Sequence, residues 1–265
     1  MYCDHGGAAA LDHHPCRYGT SRLVFRGPRR PLAGAQVVCL GGSETYGRFV
    51  ARPWPALLES ALGGAVINLG VMNAGADVFL ADPMPAEAAR GARAVVVQVT
   101  GAMNLSNPFY TVHPRHNDRF VRPSAALRRL CPRLDFTEFA FTRHLHAVLA
   151  HRAPAAHAEV VAALRQTWRE RTAALLAAVG GQAVLLWIDD AVQAAPLVGP
   201  AMVEAVAAGA GGGVVRLRPR PDGTEGMVFP ETAAPAAAAL PGPATHAAIA
   251  DALRPLLARR LAAAA

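Results

Sequence analysis

Five stretches of the chain are nearly continuous in apolar residues instead of alternating with polar ones: 35–40 (AQVVCL), 65–69 (AVINL), 94–99 (AVVVQV), 183–188 (AVLLWI) and 214–217 (VVRL). A strand with one wet face alternates, so these runs predict strands covered on both faces, as in a parallel sheet. Between them, helical spacing of apolar positions predicts helices at 55–62, 85–92, 156–179 and 198–208, with a last one at 245–262. Strand and helix alternate along the chain, and parallel neighbours need a crossover. The expected class is therefore α/β: a flavodoxin-like three-layer sandwich around a five-stranded parallel sheet.

Two segments break that rhythm. Residues 1–34, with PCRYG and FRGPRRP, predict an ordered but irregular N-terminal arm packed on the domain that occupies 35–265. Residues 102–152, between the third and fourth strands, mix aromatics, His, Arg and Pro in a proportion unlike the Ala-rich remainder. An insertion that long inside a compact domain is usually functional. The run at 209–213 is expected to be a helix stop and turn, because a strand follows it and no Lys-Ser/Thr does. The Ala/Pro stretch 232–244 is expected to be a mobile loop.

Composition narrows the classes. Hydrophobic residues make up 52% and charged residues 17%, which excludes an intrinsically disordered chain. No apolar run reaches about 18 residues, so no transmembrane helix and no membrane partner are expected. Met1–Ala10 has neither a basic nor an apolar segment of the secretory kind, so the expected compartment is the cytoplasm. The net charge of +7 comes from 26 basic residues, all Arg, scattered through separate segments without interleaved aromatics, so no nucleic-acid partner is expected. The four cysteines form no CxxC pair. Cys3, His5, His13, His14 and Cys16 offer soft ligands within one loop, but their spacing matches no usual structural zinc site, and neither metal nor cofactor is expected.

The chemistry gathers at strand ends. Leu40-Gly41-Gly42-Ser43-Glu44-Thr45 places Ser43 where the first strand ends, the edge at which open α/β sheets hold ligands, so Ser43 is a candidate nucleophile. Asn68-Leu69-Gly70-Val71-Met72-Asn73-Ala74-Gly75 follows the second strand, Thr100-Gly101-Ala102-Met103-Asn104 the third, and His246 lies at the start of the last helix. Within the insertion, Tyr110, His113, Arg115, Asn117, Asp118 and Arg119 form a dense polar and aromatic set. It reads either as a lid or substrate wall, with Arg115 and Arg119 suited to a carboxylate, sulfate or phosphate, or as a loop bonded to itself.

These blocks, with the Trp54-Pro55-Ala56-Leu57-Leu58 helix after the first, resemble in order those of the SGNH (GDSL) hydrolases. The longer pattern (PCRYGTSRLVFRGPRR, GGSETYGRFV, NLGVMNAGADVFL, NLSNPFYTVHPRHNDRF, DFTEFAFTRH) resembles an uncharacterised bacterial family, a domain of unknown function with the SGNH-like fold. The resemblance implies Ser43 as nucleophile, His246 as base, and an oxyanion hole built from the Ser43 N–H, Gly75 or Asn73, and the Asn104 amide. Two departures stand out. Gly42 occupies the usual Asp position of the first block, and Pro243 the position of the acid that orients the His. Substitutes for that acid would be Asp190 or Asp189 after the fourth strand, Glu231, or a main-chain carbonyl.

The activity implied is a serine esterase or O-acyltransferase acting on an acyl ester of a small molecule or saccharide, without a cofactor. The competing expectation is a non-catalytic SGNH-like protein that binds an anionic glycan or metabolite and has lost turnover along with the acid.

Overall fold

The computed structural model describes residues 11–189, 197–219 and 222–263. Its centre is a five-stranded, all-parallel sheet of β1 (Val37–Gly41), β2 (Val66–Gly70), β3 (Ala94–Gln98), β6 (Val184–Ile188) and β7 (Val214–Leu217), in the spatial order β2-β1-β3-β6-β7. Each of the five lies where an apolar run predicts it. The order reverses direction at β1, so the loops after β1 and β3 part there and leave a crevice at the carboxyl edge.

Both faces of the sheet are covered, which is why its strands do not alternate. One face presents Val38, Leu40, Ile67, Leu69, Val95, Val97 and Leu185. It packs against α3 (Ala76–Leu80), α4 (Pro83–Arg90), α7 (Pro154–Ala178) and α8 (Pro200–Ala208). The other presents Val37, Cys39, Val66, Val96, Val184 and Leu186 to α2 (Trp54–Leu62) and α10 (Pro243–Ala263). Trp54, Leu58, Ile249, Leu253 and Leu257 are each 0% exposed in that second layer, where truncating one Leu to Ala typically costs about 2–5 kcal/mol. The architecture is a flavodoxin-like three-layer α/β sandwich.

The insertion is structured. A hairpin of β4 (Tyr110–Val112) and β5 (Phe120–Pro123) is followed by α5 (Ala125–Leu130) and α6 (Thr142–Arg152). The described part of the N-terminal arm, residues 11–34, forms no helix and is tied by a bridge between Cys16 and Phe25. Its Arg26, only 6% exposed, donates to the carbonyls of Tyr46, Gly47 and Ala51. The arm thus fastens the loop that follows the first strand.

The Ala/Pro stretch departs from the expected loop. After a short 3-10 turn at Glu231–Ala233 it forms α9 (Ala234–Ala238), because a Pro early in a helix costs no hydrogen bond and alanine favours the conformation. Among the described residues, no helix is long and apolar enough to cross a membrane.

Candidate active site

β1 ends at Gly41, where only glycine fits: a Cβ would overlap Thr45 Oγ1 and the Gln98 side chain. Gly42 then caps α1 (Ser43–Tyr46), and Gly47 ends it at φ 72, in the left-handed region. The turn is stitched from the neighbouring strand. Gln98, at the end of β3 and 5% exposed, accepts through Oε1 from Gly42 N–H (3.0 Å), Thr45 N–H (3.2 Å) and Thr45 Oγ1 (2.5 Å). Its amide donates to Glu44 Oε2 at 2.7 Å. This role went unread in the sequence, although a Gln in a strand buried on both faces has to satisfy its amide somewhere.

Ser43, 7% exposed, faces the loop after β2. Asn73 N–H donates to Ser43 Oγ at 3.0 Å, and the Ser43 hydroxyl donates to Asn73 Oδ1 at 3.2 Å. Asn73 has φ 57, a left-handed conformation that Asn adopts more readily than most residues. From the loop after β3, Asn104 Nδ2 donates to Asn73 O at 3.1 Å, leaving its second amide hydrogen free of any protein acceptor among the described residues.

The insertion closes this group into a ring. Asn73 Nδ2 donates to Asp118 Oδ2 (3.0 Å), Thr142 N–H donates to Asp118 O (2.9 Å), and Thr142 Oγ1 donates to Asn104 Oδ1 (3.0 Å). Asn117, 0% exposed, accepts Gly75 N–H at 2.9 Å and donates to His113 O at 2.9 Å. Gly75 N–H is therefore occupied, whereas Asn73 N–H points at the Ser43 oxygen.

The remaining insertion residues divide. Tyr110 is 1% exposed, and its hydroxyl donates to Met103 O (2.7 Å) and accepts from His146 Nε2 (3.0 Å). It belongs to the interior. His113 Nδ1 accepts the N–H groups of Arg115 (3.2 Å) and His116 (3.1 Å), which organises the hairpin loop. Arg115 and Arg119 are exposed and form no ion pair among the described residues.

His246 stands apart from this ring. It is 1% exposed, and its Nδ1 accepts Trp54 N–H at 3.0 Å. Trp54 opens α2, whose first N–H groups lack acceptors within the helix, so the ring caps α2. The proton is thereby placed on Nε2, which has no hydrogen-bond partner among the described residues and does not bond Ser43. Burial, seconded by the Arg26 charge, pushes the His246 pKa down to about 4, against an opposing pull from Asp222. Asp222 itself accepts Thr245 N–H at 2.9 Å and Gly242 N–H at 3.3 Å at the start of α10.

Of the acids expected to orient His246, Asp189 accepts from Arg216 and Arg218 through Oδ2. Glu231 is exposed, and Asp190 lies outside the described residues. Asp222, whose charge does reach His246, carries no sequence signal: it lies some twenty residues upstream, outside the local motif. Cys3 and His5 also lie outside the described residues. His13 Nε2 is hydrogen-bonded with Arg48 O at 2.9 Å and His14 pairs with Asp12 at 3.1 Å. Among the described residues no group of three or more His, Cys, Asp and Glu is placed to hold a metal ion.

No curated protein and no solved structure matches the chain. The family described as Domain of unknown function (DUF6473) matches it over residues 1–261, and the chain belongs to that family.

Proposed function

We propose that the protein is a serine esterase or O-acyltransferase acting on an acyl ester of a small molecule, saccharide esters included, with Ser43 as nucleophile. The observation that carries this reading is the setting of Ser43 Oγ: at the carboxyl edge of β1, 3.0 Å from Asn73 N–H, with the Asn104 amide fixed on the same loop. The resemblance to SGNH hydrolases supports it, because the same three blocks contribute there. Ser43 Oγ would attack the acyl carbonyl, its proton passing to the base and from there to the alcohol that departs as the ester bond breaks, and water or an acceptor alcohol would then release the acyl group from Ser43. The oxyanion would be met by the Asn73 N–H, which has to turn from Ser43 Oγ to it, by the Ser43 N–H and by the second hydrogen of Asn104 Nδ2, and one such donor is typically worth about 10²–10³ in rate.

His246 can serve as base only after its ring leaves Trp54 N–H and carries its proton on Nδ1, so that Nε2 can accept from Ser43. Asp222 is the carboxylate that favours the protonated ring in that step. The test is labelling with a fluorophosphonate and turnover of p-nitrophenyl acetate. The wild-type protein takes the label on Ser43 and hydrolyses the ester, and Ser43→Ala does neither.

A second reading, a non-catalytic binder of an anionic glycan or metabolite, draws on the capping role of His246, which leaves Ser43 without a base in this arrangement. A wild-type protein that is neither labelled nor active, yet binds a saccharide or small anion in calorimetry, would establish that reading and discard the first.

A further inference from the structure

We propose that Asp118, supplied by the insertion, is the positioning residue of the Ser43 site: its carboxylate sets the orientation of the Asn73 amide, and the amide sets Ser43. An Asn side chain can present either its oxygen or its nitrogen to a neighbour. Here the choice is forced. A carboxylate oxygen of Asp118 can only accept a hydrogen bond, so the amide nitrogen of Asn73 turns to Oδ2 at 3.0 Å and the amide oxygen is left facing Ser43, where it accepts a hydrogen bond from the hydroxyl at 3.2 Å. A bond to an ionised carboxylate is stronger than one between neutral groups, and it polarises the amide toward Ser43.

Asp118 is itself held. Thr142 N–H anchors its carbonyl at 2.9 Å, and Thr142 Oγ1 reaches across to Asn104 Oδ1 at 3.0 Å, so one short segment of α6 fixes both the positioning carboxylate and the Asn104 amide. Asn117, fully buried, locks the adjacent backbone to Gly75. The insertion is thus part of the site's framework, and its removal would free Asn73 to reverse its amide.

The inference rests on the hydrolase reading for its kinetic consequence and on geometry alone for the amide orientation, so two measurements separate them. In ¹⁵N–¹H spectra, the Asn73 side-chain NH₂ pair of the wild-type protein should be shifted by the carboxylate, with Asp118→Ala moving it strongly and Asp118→Asn, which keeps an acceptor oxygen, moving it less. An Asn73 signal indifferent to both variants overturns the proposal whatever the activity. The fluorophosphonate labelling rate and p-nitrophenyl acetate kcat should fall about 10- to 100-fold in Asp118→Ala, the scale of a misplaced reacting group, with partial recovery in Asp118→Asn and little change in KM. Unchanged rates with a shifted amide signal overturn the kinetic role. A wild-type protein that takes no label refutes the hydrolase reading and that kinetic role together, while the spectra still decide the orientation.

Discussion

Acid should weaken this protein through its buried histidines, and His246→Asn isolates one of them. The ring is 1% exposed and its pKa falls from the ordinary 6.5 to about 4. The folded state therefore keeps His246 neutral while the unfolded chain takes up a proton as the pH drops below 6.5. More protons bound in the unfolded state means stability that declines with falling pH, beginning near 6.5 and levelling off near 4. At about 1.4 kcal/mol per pH unit the full penalty is about 3 kcal/mol, and between about pH 7 and about pH 4.5 it is about 2 kcal/mol. Asparagine cannot take that proton, and its Oδ1 can replace Nδ1 as acceptor for Trp54 N–H. Urea unfolding of both proteins at the two pH values measures the difference. The variant should be less stable at neutral pH, since the imidazole leaves a void, but should lose about 2 kcal/mol less on acidification. A variant with the same acid loss as wild type would mean that His246 titrates normally and is not sealed behind Trp54.

Two further substitutions probe the framework of the site. Asn117→Ala leaves the buried Gly75 N–H without its acceptor and should cost about 1–3 kcal/mol in urea unfolding; a loss below about 0.5 kcal/mol would mean that water reaches that N–H. Gly47→Ala puts a Cβ at φ 72 against Pro53, and the left-handed conformation alone should cost about 1–2 kcal/mol before the overlap is counted. A wild-type melting temperature for that variant would show that the turn after α1 relaxes freely.

The arrangement of the strands was legible in the residues themselves. Runs such as AVVVQV cannot sit in a sheet with a wet face, and the alternation of those runs with helical periods leaves few topologies besides a parallel, doubly covered sheet. The meeting of the loops that carry Ser43, Gly75 or Asn73, and Asn104 was legible for a related reason, since loops at the carboxyl ends of neighbouring parallel strands meet whatever their sequence separation.

What the sequence could not convey is where a side chain's hydrogen bonds go. His246 holds the position along the chain where a base was expected, yet tertiary packing brings Trp54 N–H to its Nδ1 and thereby decides which nitrogen keeps the proton. Gly75 was the first choice for the oxyanion donor and Asn73 the alternative, and the structure favours the second. Asn117, contributed by a segment more than forty residues away, takes up the Gly75 N–H, while the Asn73 N–H donates to Ser43 Oγ. Tyr110 and Arg119, side by side in one polar-aromatic set by composition, part because the short antiparallel hairpin buries one and exposes the other. Periodicity records which face of an element is dry, a local property. The partner of a polar atom is set by elements distant in the chain, and so only the folded structure decides it.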